Sequence, residues 1–361
     1  MLVHICCAVD SHFFLQKLRE IYPKRKLVGF FYDPNIHPYS EYRLRLLDVR
    51  RSCKKLDIEL IEGEYDYLKW IETVKGYENE PEKGARCDLC FDRRLEVSAK
   101  KAVELGFDSL TTTLLTSPKK SLDQLKRRGE EVCKKLGIEF VAPDFRQKGG
   151  TQEQFAMAKE QKLYHQDYCG CIYALLSQRD SQERIADELF SPVSGQIQPE
   201  SIEDRLLLYE KRVELEEKKI RYKIVREKFL NYRQLRAYVK LNARVVESYI
   251  LAYSTLKRKF TKFRIVDNIE NIYFTNREEI VVISLEYFNK IIGSDYKEIK
   301  NIIKSPPLFE TELKARSKII YNFLSLSPVI ILKDIDLKGA YQLHLDARIY
   351  EDVREHLVTF S

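Results

Sequence analysis

Along the first 190 or so positions, apolar and polar residues follow two different rhythms. Short apolar runs, "LVHIC", "LVGFFYD" (27–33), "IELIEG" (58–63), "SLTTTLL" (109–115) and "IEFVAP" (138–143), have the length of buried strands. Between them apolar residues recur at three- and four-residue spacing, the mark of a helix with one buried face. Such helices are expected from about Phe13 to Ile21, from Ser40 onward, and in "SLDQLKRRGEEVCKKLG". There Ser121 is placed as N-cap and Gly137 just past the C-terminal end. Strands alternating with helices predict an α/β domain built on a mainly parallel sheet with flanking helices. Ligands of such sheets bind beyond the carboxyl ends of the strands, which is where Cys6 and Cys7 fall.

The rhythm stops at "FSPVSGQIQPESIE" (190–203), whose prolines, serines and glycine read as a linker. The predicted organisation is a catalytic domain over 1–192, a linker over 193–203 and a C-terminal domain over 204–361. Residues 203 to 265 read as mostly helical, and 271 to 345 as mixed, with strands in "EIVVISL" and "PVIILKDI". No run approaches the roughly 18 apolar residues of a membrane span. No secretory leader is recognisable either, so a cytoplasmic location is expected.

Charge sharpens the division. Residues 221 to 264 hold 13 Lys or Arg against two Glu, +11, whereas the whole chain is +7. Tyr222, Phe229, Tyr232, Tyr238, Tyr249, Tyr253, Phe260 and Phe263 are interleaved with these cations. Cations beside aromatics suit phosphates and unpaired bases, so nucleic-acid contact is expected. The plainer explanation is a solvated helix whose aromatics face their own core.

Cysteine carries the chemistry. Six of the eight cysteines fall in three tight pairs, Cys6–Cys7, Cys87–Cys90 and Cys169–Cys171. Cys53 and Cys133 continue helical apolar stripes and read as core. In a cytoplasmic chain such pairs point to metal or redox chemistry rather than structural disulfides. "RCDLC" is a C-x-x-C with no second C-x-x-C or H-x-x-x-H to complete a zinc site. Cys6 and Cys7 could supply the missing thiolates, and four thiolates complete a [4Fe–4S] site. Glycine in "YCGC" permits a tight turn, so Cys169 and Cys171 form a strained, reducible disulfide or chelate a metal together with Asp10.

"HICC", "RCDLCFDRRL" (86–95), "YCGC" (168–171) and "FFYDPNIHPYSEYRLRL" (30–46) together resemble the QueH-type epoxyqueuosine reductases (the DUF208 family) over roughly residues 1 to 180. The resemblance implies reduction of the epoxide of epoxyqueuosine to the alkene of queuosine at the wobble position of tRNA, without cobalamin. It implies an adenine-nucleotide α-hydrolase-like fold and a [4Fe–4S] cluster on Cys6, Cys7, Cys87 and Cys90, with Cys169 and Cys171 as a redox-active pair. Family members commonly show C-C-A-P-C where this chain reads Cys-Cys-Ala-Val-Asp, so Asp10 replaces a cysteine. The turn "CCAVDSH" also lacks an S-G-G-x-D-S phosphate loop.

Epoxide opening needs a Lewis acid or proton donor on oxygen. A mononuclear iron on Asp10, Cys169 and Cys171 meets that need, and Asp10 as a general acid is the alternative. Substrate contacts are expected from His37, Glu41, Arg43 and Arg86, although His37 is as well explained as a helix cap. The partners implied are tRNA carrying epoxyqueuosine and an external electron donor. Two competing functions are a cluster-dependent tRNA thiolation enzyme and a non-catalytic iron–sulfur RNA-binding or redox-sensing module.

Overall fold

The early apolar runs become one parallel sheet in the computed structural model, which describes every residue except Lys119, Glu278, Phe323 and Ser361. Its strands are β1 (Leu2–Ile5), β2 (Val28–Phe31), β3 (Glu59–Glu62), β4 (Ser109–Thr112) and β5 (Glu139–Phe140), in the order β3-β2-β1-β4-β5. Every residue of β1, β2 and β4 is buried, as strands under a helical cover should be, although β4 carries Ser109, Thr111 and Thr112. The chain leaves β1 toward β2 and β3, then returns to the other side of β1 as β4. The carboxyl ends of β1 and β4 therefore flank the point where strand order reverses, the usual ligand position in such a sheet.

Helices α1 (Ala8–Ile21), α2 (Tyr39–Lys55), α3 (Tyr67–Thr73), α4 (Ala85–Glu104), α5 (Leu122–Lys135), α6 (Gly150–Glu160) and α7 (Ile172–Ser181) fill the intervals. The Ser121 hydroxyl accepts the Gln124 amide at 3.3 Å, and Gly137 has φ of +71° just past α5. Helix α1 starts five residues before the predicted Phe13. The helix follows the strand almost without a turn, which puts Asp10 in its first turn.

The chain divides into two compact units, Met1–Ala186 with Tyr209–Ile220, and Asp187–Leu208 with Arg221–Ser361. The boundary falls within α8 (Ile202–Glu217). The predicted helical reading of 203 to 265 holds only for α8; the rest is strands and the turns that join them. The second unit contains β6 (Tyr222–Leu241), β7 (Arg244–Val246), β8 (Tyr249–Ile250), β9 (Phe260–Phe263), β10 (Ile265–Ile269), β11 (Ile272–Thr275), β12 (Val281–Ser284), β13 (Val329–Leu332) and β14 (Tyr341–Thr359). It also holds α9 (Leu285–Ile292), α10 (Ile299–Lys304) and α11 (Phe309–Ile319). Lys, Arg, Glu and Leu favour helix one by one. Here they are outweighed by aromatic and β-branched residues at alternate positions and by a partner strand far along the chain: all 19 residues of β14 pair with β6.

Two sheets result, β10-β11-β12-β13-β8 and β7-β6-β14-β9. Val239, Phe263, Val282, Ile330, Tyr341, Leu343 and Leu345 fill the core between them. Within "FSPVSGQIQPESIE", Gln196 and Gln198 are buried, and Gln196 donates to Glu312 Oε2 at 2.9 Å and the Pro307 carbonyl at 2.8 Å. Among the described residues no helix is long and apolar enough to cross a membrane.

Residues Tyr209–Ile220 join the first unit through buried charge. Arg212 is fully buried, donates to Asp48 Oδ1 and the Lys162 carbonyl, and lies 4.1 Å from the Tyr209 ring centroid. Asp48, equally buried, also accepts the Tyr164 amide at 2.6 Å. Without Arg212, Asp48 keeps only the more distant Arg51 guanidinium, 3.6 Å away, to offset its buried charge. Arg212→Ala is therefore expected to lower stability by about 3–5 kcal/mol in urea unfolding. Adding Asp48→Asn to an Arg212→Met background is expected to recover much of that loss. A single-variant loss below about 1 kcal/mol would mean that water already reaches Asp48.

Candidate metal centre and substrate cavity

The cysteines sit where helices begin. Cys6 follows β1, and Cys7 is the N-cap of α1. Cys87 and Cys90 occupy the first turns of α4, three residues apart and so on one face. Cys171 is the N-cap of α7. Helix N-termini favour the thiolate over the thiol, though here burial works against it.

Cys6, Cys7 and Asp10 form one group, their ligand atoms all within 4.8 Å of one another. Cys6 Sγ lies 3.9 Å from Cys7 Sγ and 3.6 Å from Asp10 Oδ2. The Cys6 amide donates to Thr113 Oγ1 at 3.3 Å, tying the end of β1 to the turn after β4. Gln154 of α6 donates to Asp10 Oδ1 at 2.7 Å. Burial nonetheless pushes the Asp10 carboxyl above its ordinary range. The hydrogen bond with Cys6, and then burial, raises the Cys7 thiol.

The other four paired cysteines, Cys87, Cys90, Cys169 and Cys171, line a second cavity together with Trp70, Arg86, Arg94 and Lys120. Gly170 has φ of +110°, and a Cβ there would come within 2.9 Å of Ile36 Cγ1 and 3.2 Å of Arg45 Nη1. A side chain fits neither the backbone nor the space, so the glycine is needed to put both thiols on the same cavity. Burial raises the thiols of Cys87 and Cys90, and pushes Cys171 up to about 12. Cys169 differs. Burial raises its thiol too, but the Lys120 ammonium, 3.1 Å from Sγ, outweighs that and the net direction is down.

A neighbouring cavity of about 110 Å³ is lined by Cys6, Asp10, Asp33, Arg45, His165 and Cys169, among others. Arg94, Lys120, Glu82 and Cys169 line both cavities, so the two cysteine groups look onto adjoining space. Asp33 pairs with Arg94, and its Oδ2 is buried without a hydrogen-bond partner among the described residues. Burial lifts the Asp33 carboxyl to about 6 despite that arginine.

The structure thus brings all six paired cysteines and Asp10 into one region but sorts them differently from their spacing. Asp10 groups with Cys6 and Cys7, and the C-x-x-C groups with Cys169 and Cys171. Glu41 is buried and acts through Arg45. It accepts Arg45 Nε at 2.7 Å, while Arg45 donates to the carbonyls of Tyr168 and Cys169 at 3.0 and 3.1 Å. Arg86 is buried and holds the carbonyls of Tyr77, Glu78 and Glu80 beside the cysteines. The His37 ring stacks on Tyr67 with centroids 5.0 Å apart and caps no helix. Arg43 pairs with Glu210 at an exposed position and lines neither cavity. Cys53 and Cys133 are core, as expected, and Trp70 is fully buried.

Lys120, Arg94 and Arg45 were not apparent from sequence. Lys120 sits in "TSPKKS", the loop beyond β4, and the strand-end rule could have drawn attention to it. The two arginines fall within helical stripes, where nothing in the spacing marks them as buried. In iron-free protein Cys169 is expected to be alkylated faster than Cys90 or Cys171. Lys120→Met is expected to slow that reaction by about tenfold or more at neutral pH. Equal rates with and without the lysine, followed by peptide mapping, would remove its influence on the thiol.

Comparison with known proteins identifies the family. The family model "Epoxyqueuosine reductase QueH" matches residues 1–177. An epoxyqueuosine reductase QueH from Helicobacter pylori is 38% identical over 95% of this chain and 98% of its own length. That of Thermotoga maritima is 36% identical over 52% of this chain and 95% of its own, so nearly all of it corresponds to about half of this chain. A solved U34-tRNA thiolase from Methanococcus maripaludis with a [4Fe–4S] cluster aligns at a TM-score of 0.34 and 15% identity, over 59% of this chain and 73% of its own, too loosely to carry weight. Near-full-length identity to a curated relative, on top of the converging cysteines, makes this chain a member of the epoxyqueuosine reductase QueH family.

Proposed function

We infer that this protein reduces the epoxide of epoxyqueuosine in tRNA to the alkene of queuosine. The observation that carries the inference is the convergence of Cys6, Cys87, Cys90, Cys169 and Cys171 on adjoining cavities at the switch point of a parallel sheet, with Cys7 directly behind Cys6. The same strand order supports an adenine-nucleotide α-hydrolase-like first unit, although the turn after β1 has no phosphate loop.

The donor sets fit iron. Four thiols facing Arg86, Arg94 and Lys120 suit an anionic thiolate-bound group, since neutral thiols have no need of buried cations. Two thiols with a short carboxylate suit a single soft or borderline ion. Mutual proximity supports this partition over the one that spacing suggested, in which Cys6 and Cys7 join Cys87 and Cys90 while Asp10 joins Cys169 and Cys171. Cys87, Cys90, Cys169 and Cys171 would hold a [4Fe–4S] cluster, which would supply electrons singly, and Cys6, Cys7 and Asp10 would hold an ion, which would supply Lewis acidity toward the epoxide oxygen.

Conversion of an epoxide to an alkene takes up two electrons and two protons and releases the oxygen as water. The electrons come from an external donor. Lys120 and His165 face the cavity and can deliver protons toward that oxygen. Arg94 holds Asp33 on the cavity wall, leaving the free Oδ2 to accept a hydroxyl or amine of the substrate. Glu41 and Arg45 keep the Tyr168–Gly170 turn in place, so the thiols do not swing away from the bound nucleoside. The basic residues of 221–264 are proposed to hold the rest of the tRNA.

Anaerobic protein with dithionite and tRNA bearing epoxyqueuosine is expected to yield queuosine without ATP. Failure with a full iron complement would sink the reading. The partition has its own test. Cys87→Ser with Cys169→Ser is expected to lose the cluster absorbance. Asp10→Asn is expected to keep it, lose about one iron and drop turnover by about two orders of magnitude. Loss of iron from Cys171→Ser with an intact cluster spectrum would restore the spacing-based partition.

A further inference from the structure

In the second unit, strands β6, β14 and β9 alternate between a buried and an outward face over 237–241, 341–345 and 260–263. Ala237, Val239 and Leu241, then Tyr341, Leu343 and Leu345, and Phe263 pack into the core between the sheets. Their neighbours in sequence point the other way. His344 lies directly opposite Tyr238 on one side and Phe260 on the other. The three rings form a single stack across the sheet: Tyr238 and His344 centroids are 4.5 Å apart at 7°, and Phe260 and His344 4.7 Å apart at 38°. Phe260 remains 40% exposed.

Cations frame the stack. The Arg236 guanidinium lies 5.8 Å from the Tyr238 ring centroid and the Lys240 ammonium 5.9 Å. Lys262 follows on the same face of β9, and Lys257, Arg258 and Lys259 are exposed just before it. The acidic residue on this face, Asp346, already pairs with Lys259 at 2.5 Å. Like charges gathered on one sheet face repel one another, and an outward row of rings leaves apolar surface in water. A solvated face needs neither, and an acidic partner would explain the cations without the rings.

Both features are satisfied by one class of ligand. We propose that the outward face of β6, β14 and β9 is a stacking platform for unpaired nucleotides of RNA. A base extends the Tyr238–His344–Phe260 stack while phosphates meet Arg236, Lys240 and Lys262. The proposal rests on tRNA being the substrate and gives the second unit its task in holding it. Because every base has a π face, the platform reads single-strandedness rather than sequence.

The test is equilibrium binding of the full-length protein to an unmodified tRNA transcript, at several salt concentrations and without turnover. Tyr238→Ala with Phe260→Ala is expected to weaken binding by about tenfold or more with the salt slope unchanged. Arg236→Glu with Lys262→Glu is expected to weaken it and flatten the slope by about 1 to 2. The aromatic swap Tyr238→Phe with Phe260→Tyr is expected to bind like the parent, which separates lost stacking from a damaged fold. Binding within about twofold of the parent for the double alanine variant overturns the platform. So does a loss confined to the charge variants, which would indicate a general acidic partner, or a failure of the aromatic swap to bind. Since binding is read without reduction, an inactive parent would refute the activity and leave this result standing.

Discussion

Arg45 is the interaction on which the site depends. It is buried on α2 with Glu41, and that pair would be an expensive way to fill a core if it did nothing else. Its remaining donors go to the carbonyls of Tyr168 and Cys169, so an ion pair within one helix becomes a clamp on a turn far away in sequence. The clamp sets Gly170 against Ile36 and Arg45 with no room for a side chain. With that turn fixed, Cys169 and Cys171 face Cys87 and Cys90 across a single cavity. A tight turn alone would leave the two thiols free to face solvent or each other.

Charge around the cysteines follows the same economy. Burial makes most of these thiols reluctant to ionise, while Arg86, Arg94 and Lys120 are brought in among them. Only where a cation touches the sulfur directly does the balance reverse, at Cys169 beside Lys120. Arg94 and Arg86 are committed to Asp33 and to backbone carbonyls, so their charge is held rigidly rather than left to find its own partner. A site laid out in this way is ready for an anionic group before one binds, and reorganises little on binding it.

The two units use their charged residues in different ways. In the first, Arg45, Arg86, Arg94 and Arg212 are buried and hydrogen-bonded, and all but Arg94 hold backbone carbonyls. In the second, Arg233 is buried against Asn231 and Pro199, but most of the other cations between 221 and 264 stay exposed on strands. The Thermotoga maritima relative matches about half of this chain and the family model residues 1–177, whereas the Helicobacter pylori relative matches nearly all of it. The charge-rich second unit is therefore shared with some members of the family and not with others.

Read by itself, the sequence determined the elements whose signals are local. Short apolar runs became the parallel sheet, Ser121 capped α5, Cys53 and Cys133 went into the core, and the six paired cysteines marked the site. Those readings rest on period, capping chemistry and burial, all of which act within a few residues. What the tertiary structure decided was every pairing across the chain. Spacing groups cysteines by adjacency, but folding placed Cys6 and Cys7 with Asp10 at the end of β1 and gave the C-x-x-C of α4 a partner in the turn before α7. Helix propensity along 222 to 241 lost to β14, because a strand's stability comes from the strand beside it. Lys120, Arg94 and Arg45 look like surface charges in sequence, and only packing reveals that each is turned inward onto a sulfur, a carboxylate or a carbonyl.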